Sequence, residues 1–356
     1  MDFALSSEQV DLAANERAWL IKNDPIALRR QGIDDGPAPV EAGALAHVRE
    51  SGFVGLLGED VGGTHVDLLV LVEEHGRAGS SVPLAELALA GSMLARISPV
   101  CRTIADQVAD GAGFVTPVVA SPEGPPPIAT AEGTGLRMRG IGAPGPGRSA
   151  ATGFVVIADL DTGGRVAAYV PADAAGVSVK VLETLDLTRN WTTVALDVGV
   201  AQGWWAVIDD SEAEQLLDAL ALYRMVDALG AADRLVEQAV EYAVARTQFG
   251  QAIGAFQAVK HHCANMAVAV ESSRAAAWAA AVALDGPDHS VRRRAVSAAA
   301  AHGKEAAGET AQLALQVHGG IGFTWEHDLH LLLRRIKVDE LLDGSVHFHR
   351  RRLITA

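Results

Sequence analysis

Cysteine is nearly absent: the chain has only Cys101 and Cys263, far apart and in no Cys-x-x-Cys pattern. That argues against a disulfide framework and fits two buried thiols in a reducing compartment. A net positive charge is lacking too. At −15 the chain has no basic face that could dominate its field, so nucleic acid is not an expected partner. The only basic runs are Arg292-Arg293-Arg294 and Arg350-Arg351-Arg352, which read as a solvated helix face and a C-terminal charge cluster. The alanine-rich segments carry a charge or a histidine at short intervals, so none reads as a membrane span. The acidic, amphipathic first residues lack the basic and apolar regions of a signal peptide. The expectation is a soluble, cytoplasmic protein with no membrane partner.

Familiar catalytic motifs are also missing. His261, His262, His318, His327, His330, His347 and His349 have no carboxylate or cysteine at ligand spacing, and no HExxH occurs, so no metal site is expected. Gly55-Leu-Leu-Gly-Glu-Asp-Val-Gly-Gly-Thr64 lacks the Gly-Lys-Ser/Thr ending of a phosphate loop. Gly319-Gly-Ile-Gly322 follows a helical pattern rather than a strand, so it is no dinucleotide fingerprint. No nucleophile elbow is present.

The 356 residues, 49% hydrophobic, suffice for two or three domains with sizeable cores. Residues 1–112 read as helical, with Ser6 and Ser7 placed to cap a first helix and others over 44–52, 66–78 and 83–97. Residues 113–205 read as a β domain. Phe154-Val-Val-Ile-Ala158, Val166-Ala-Ala-Tyr-Val170 and residues 177–181 and 192–200 are short valine-rich runs, spaced as a small antiparallel sheet or barrel. The Pro- and Gly-rich stretches 121–127 and 140–147 read as loops without regular pairing.

Residues 206–356 read as an antiparallel four-helix bundle. Its helices are expected over 211–246, 255–284 and 290–317, the last capped by Ser290, with a fourth from after His327 to near 343–344. Leu222, Met225, Val226, Leu229, Val236 and Val240 recur at helical steps and mark one apolar face. The fold class is thus mainly α with a small middle β domain.

Two turns in this helical half attract notice. Arg246-Thr-Gln-Phe-Gly-Gln-Ala-Ile-Gly-Ala-Phe-Gln257 joins the first two bundle helices, and Gln316-Val-His-Gly-Gly-Ile-Gly-Phe323 follows the third. Helix ends carry unpaired backbone groups that can meet a phosphate or a ring edge. Two such turns suggest a shared ligand site. Taken singly each has a plainer reading, with Arg246 complementing its helix end, Phe249 and Phe256 in a core, and Gly319-Gly320 a simple helix stop.

Together with the Met-Asp-Phe opening and the 55–63 loop, these turns resemble the signatures of the acyl-CoA dehydrogenase family, in particular its short, divergent actinobacterial members. Some of those act on steroid or other bulky acyl-CoA thioesters. The resemblance implies N-terminal helices, a middle β-barrel-like sheet and a C-terminal four-helix bundle. It implies FAD lying across a dimer interface of a tetramer, with an electron-transfer flavoprotein or similar acceptor. By the match Arg246 would meet the pyrophosphate through its planar fork. Phe249 would pack near the cofactor, Gln257 and Gln316 would supply amide contacts, and Gly319 and Gly320 would admit close backbone approach. Ser345 and His347 stand at further flavin-contact positions as partial matches.

Other positions depart from the pattern. The family's usual base, a glutamate, is matched in Leu342-Asp343-Gly344-Ser345 by Asp343. Its oxygen would sit about 1 Å short, a misplacement that can cost on the order of a hundredfold in rate. The family's other base position falls at Leu220 and Ala221, and Asp218 is about half a helical turn off. The aromatic and the threonine that line the flavin ring fall within residues 144–147, where neither exists. The nearest text to the family's Thr-Glu-Pro loop is Ser121-Pro-Glu-Gly124. The half-site offered to a neighbour is therefore kept, and the half serving this chain's own flavin ring is eroded. The expectation is a divergent subunit paired with a second, catalytic dehydrogenase subunit as α2β2. The alternatives are a self-sufficient homotetramer with Asp343 as base and a non-enzymatic helical scaffold with relic flavin motifs.

Overall fold

The computed structural model describes residues 5–355. The Met-Asp-Phe opening lies outside the described residues. Helices come first: α1 (Ser7–Asn23), α2 (Ala27–Gln31), α3 (Ala42–Glu50), α4 (His65–Ala78), α5 (Leu84–Ile97) and α6 (Pro99–Ala109). Ser6 and Gln9 form a reciprocal capping box at α1, and Thr64 and Asp67 form another at α4. Helix α4 is buried on every side over most of its length, which makes it the centre of this half.

The sheet follows: β1 (Val115–Val118), β2 (Ile128–Glu132), β3 (Gly135–Ile141), β4 (Gly145–Pro146), β5 (Gly153–Leu160), β6 (Arg165–Pro171), β7 (Val177–Leu182), β8 (Trp191–Val200) and β9 (Trp205–Ile208). All nine belong to one sheet. It is not purely antiparallel as expected, because β5 takes both β1 and β2 as parallel neighbours. Nor is the 140–147 stretch free of pairing. Gly140 and Ile141 end β3, and Gly145 and Pro146 pair with Thr192 and Trp191. Alternate residues of β5 enter different cores. Phe154 and Val156 fill the sheet's own interior, while Val155 and Ile157 join the helical core.

The bundle comprises α7 (Asp210–Ala245), α8 (Gln257–Leu284), α9 (His289–His318) and α10 (Leu329–Asp339), followed by α11 (Val346–Ile354). The architecture is mainly α with a curled middle sheet and a C-terminal bundle, as expected from the resemblance. Helices α4 and α7 touch backbone to backbone. A Cβ on Gly76 would lie 2.2 Å from the Asp227 carbonyl oxygen, and one on Gly230 would lie 2.0 Å from that of Glu73. Any side chain at either glycine would push the helices apart.

Several local expectations need correction. Asp288, not Ser290, caps α9, accepting from the amides of Ser290 and Val291. Helix α10 stops at Asp339, and the separate helix α11 follows a turn. The buried face of α7 continues through Leu235, Ala239 and Ala243, because the small alanines permit closer packing, while Val236 is half-buried and Val240 is exposed. Arg292 is not solvated: it is buried and ion-paired to Asp218 at 3.1 Å. Cys101 is buried as expected, but Cys263 only half so. By length and composition α8 would pass as a membrane span, since an alanine-rich window dilutes its charges. Here it packs between α7 and α9, with Met266, Val270, Ala277 and Ala281 buried.

Candidate cofactor half-site

One end of the bundle gathers most of the residues singled out. Arg246 ends α7, its amide donating to the Tyr242 carbonyl at 2.8 Å, and its own carbonyl accepts from the Ile253 amide at 2.8 Å. Between them, β10 (Thr247–Gln248) and β11 (Gln251–Ala252) form a two-stranded hairpin. Its turn residues, Phe249 and Gly250, have φ of 52° and 81°. Two consecutive positive φ values define the primed hairpin turn, which suits Gly250 and strains a bulky Phe249. Phe249 is 92% exposed and meets Phe256 edge to face. The exposed Gln257 opens α8.

The end of α9 lies beside that of α7, because His318 stacks on Tyr242 with ring centroids 4.8 Å apart. Gln316 and Gly320 are exposed there. Gly319 caps α9 at φ 59°, a conformation that favours glycine. A Cβ on Gly319 or Gly320 would meet nothing within 4 Å. Arg246 forms no ion pair with a described residue. An unpaired arginine, two amide side chains and open glycine backbone at helix ends suit the phosphates and polar edges of a dinucleotide. No described residue covers them.

Asp343, Ser345 and His347 lie elsewhere. Lys304 on α9 donates to the carbonyls of Leu342 and Gly344 at 2.5 and 2.6 Å, which fixes that turn 14 residues from His318, or about 21 Å along the helix. Ser345 caps α11, accepting from the Phe348 amide, and His347 is exposed on its first turn. Asp343 adopts φ 52°, and its carboxylate meets Arg224 Nε at 3.0 Å.

Around that pair lies a buried ion network that no sequence spacing announced. Arg224 also binds Glu86 at 2.6 Å. Arg189 binds Asp186, Asp227 and Asp339 at 3.0, 2.9 and 2.7 Å. Arg335 grips both Asp227 oxygens and donates to Thr188 and the Ser80 carbonyl. Trp191 is fully buried between the guanidinium groups of Arg189 and Arg224, at 4.9 and 4.8 Å. Burial opposes ionisation of Asp227, but Arg189 and Arg335 hold it far below the usual carboxylate range. Burial, joined by the neighbouring Asp227, pushes Asp339 well above it against the pull of Arg189. These residues are scattered from position 86 to 343, so only the tertiary fold brings them together.

The network leaves little space. The cavity among Glu86, Arg189, Leu220, Tyr223, Arg224 and Asp227 measures about 10 Å³, roughly the limit for one water. Asp218 is unavailable too, fully buried and bound by Arg292 and by Arg352 at 2.7 Å. At 144–147 the Arg148 guanidinium fills the position. It donates to the carbonyls of Ala143 and Pro117, and a Cβ on Gly145 would strike it. The cavity beside Arg224 is too small for a flavin ring, whereas the open bundle end presents donors and glycine backbone that suit part of a dinucleotide.

The order of helices, curled sheet and bundle defines the acyl-CoA dehydrogenase fold. It superposes on a chain of the ChsE4-ChsE5 complex from Mycobacterium tuberculosis with a TM-score of 0.90 at 24% identity, covering 100% of this chain and 98% of that one. On the Tcur3481-Tcur3483 steroid ACAD the TM-score is 0.87 at 24% identity, covering 98% and 97%. Sequence carries the assignment further. Residues 213–356 match the acyl-CoA dehydrogenase C-terminal domain. The acyl-CoA dehydrogenase FadE34 of Mycobacterium tuberculosis is 34% identical over 326 residues, 90% of this chain and 43% of that relative. The chain belongs to the acyl-CoA dehydrogenase family. It spans half or less of the length of the mycobacterial relatives it matches.

Proposed function

We propose that this chain is the divergent subunit of a FAD-dependent acyl-CoA dehydrogenase, paired as α2β2 with a second dehydrogenase subunit whose FAD site it completes. The supporting observation is a contrast. The donors at 246–257 and 316–320 stand open at the bundle end, while Asp343 is ion-paired to Arg224, which itself lines a cavity of only about 10 Å³. In this reading the Arg246 fork holds the pyrophosphate, and Gln257 and Gln316 hold polar edges. Phe249 is already strained into an exposed pose and packs beside the cofactor, while Gly319 and Gly320 present backbone. Strain kept at an exposed aromatic is a mark of use.

Bound FAD would supply the hydride acceptor for α,β-dehydrogenation of an acyl-CoA thioester. The base comes from the partner, and Asp343, Ser345 and His347 serve the fold. A steroid or other bulky acyl group, as for the steroid ACAD above, is the substrate class proposed, and an electron-transfer flavoprotein or similar carrier would take the electrons. FadE34 extends over more than twice the matched length, room for a second unit of this size such as a paired assembly needs.

The test is flavin content of the purified chain, alone and co-expressed with a candidate partner dehydrogenase from the same gene neighbourhood. Flavin and turnover only with the partner are expected. Flavin and turnover in the chain alone would favour the homotetramer with Asp343 as base. No flavin in either preparation would leave the scaffold.

A further inference from the structure

We propose that His318 is the positioning residue of this half-site and that it can act only as a neutral imidazole; this rests on the reading that the bundle end holds part of a flavin dinucleotide. The ring is 3% exposed. Its Nδ1 lies 2.8 Å from the Ala314 carbonyl oxygen, which can only accept, so Nδ1 carries the proton and Nε2 a lone pair. Nε2 is buried and without a hydrogen-bond partner. The ring is wedged between the last turns of two helices. On one side it stacks on Tyr242, whose carbonyl holds the Arg246 amide. On the other it directly precedes Gly319. One ring therefore sets the spacing between Arg246 and the Gly319-Gly320 backbone.

Among the described residues, the groups facing this wedge offer no counter-ion. From α7 there is Tyr242. From the turn before α10 there is His327, its ring 4.7 Å away. His327 Nδ1 accepts from the Leu329 amide, so His327 is itself a neutral tautomer. Asp328, facing His327, is paired to Arg30 of α2 at 3.0 Å. His330 of α10 has both ring nitrogens buried, and it packs on Trp325, whose backbone it also meets and whose ring Arg334 covers. Burial holds His318 below its ordinary range, the neighbouring His327 adds to this, and the Ala314 carbonyl opposes it. A proton on Nε2 would make a buried imidazolium with nothing to accept from it. The wedge is complete above the ordinary histidine range, about 6.5, and is lost as pH falls through the lower value of the folded state.

The experiment measures FAD release from the co-expressed complex by flavin fluorescence between pH 5 and 8, for the wild type, His318→Phe and His318→Ala. Wild-type affinity should fall about tenfold per pH unit once His318 takes up its proton. His318→Phe, which keeps the stack and cannot titrate, should hold FAD within a few fold of wild type at pH 8 and lose the acid fall. His318→Ala should weaken binding at every pH. An unchanged acid fall in His318→Phe would overturn the proposal. Ring NMR of His318 in the chain alone needs no flavin. A midpoint below the ordinary value, with loss of the Tyr242 ring-current shift on protonation, supports the proposal, and an ordinary midpoint overturns it. A complex that holds no FAD at any pH would instead sink the half-site reading, while the NMR titration still decides the neutral wedge.

Discussion

Arg224 Nε and Asp343 Oδ2 stand 3.0 Å apart in a buried setting, and the other arm of the same guanidinium reaches Glu86 at 2.6 Å. The Asp343 contact ties one carboxylate oxygen to the guanidinium. A base must face its substrate with a free oxygen and a pKa near that of the proton it takes. Here α5, α7 and the 342–344 turn are joined instead.

Asp343→Asn separates the two roles. Asparagine tolerates the positive φ of 52° but loses the charge. Urea unfolding should show a loss of about 1–3 kcal/mol, from an uncompensated share of a buried ion pair. Turnover of the assembled complex should stay within about twofold. A fall of several orders of magnitude would make Asp343 the base after all.

Arg246→Gln should do the opposite. The residue is exposed and pairs with no described carboxylate, so stability should change by no more than about 0.5 kcal/mol. A lost charge-assisted contact to phosphate is worth about 1.5–3 kcal/mol, which is roughly a ten- to hundredfold weaker hold on FAD in the complex. Fluorescence of released flavin measures it, and unchanged retention would remove Arg246 from the half-site.

Lys304 makes a prediction at alkaline pH. Burial brings its ammonium down to about 8, with Asp343 opposing. The folded state then binds fewer protons than the unfolded between pH 8 and about 10.5, so this group makes stability rise with pH across that window. The contribution is at most about 3 kcal/mol. Lys304→Met cannot titrate, so the stability advantage of wild type over variant should grow between pH 8 and 10. A constant difference across that window would contradict the prediction.

His349 makes one at acid pH. Its Nε2–H donates to the Asp343 carbonyl at 3.1 Å, and burial, with Lys304 adding, brings the ring down to about 3. Below about 6.5 the unfolded state takes up a proton that the folded state refuses, so stability is lost as pH falls, on the order of 3 kcal/mol by pH 4. His349→Gln keeps a donor without a titrating ring. Its stability should therefore fall less steeply over pH 4–6.5, as denaturant titrations at several pH values would show.

The fold was legible in the sequence because periodicity and turn chemistry are local. Ser6 capped α1, and the valine-rich runs at 154–158 and 166–170 became β5 and β6. Local patterning failed where partners decide. Val240 fits the helical period yet is exposed, while Ala239 and Ala243 near it are buried. Pro146 looked like loop but pairs with Trp191, since a two-residue edge strand tolerates proline. Each glycine-bearing turn was legible because its signature keeps its own residues close in sequence, and the stacking of His318 on Tyr242 brings the two turns side by side.

What the sequence determined by itself was the family, the order of helices, sheet and bundle, and the placing of Arg246, Gln257, Gln316 and the glycines at helix ends. Backbone termini and short-range spacing encode those features. Whether Asp343 faces a pocket or a guanidinium is not a local property. Arg224, 119 residues away, had to arrive from another helix, along with Glu86 from a third. The same holds for His318, whose wedge exists only once Tyr242 stacks on it. Ion pairs and ring contacts depend on distance in space, and only the packed helices set that distance.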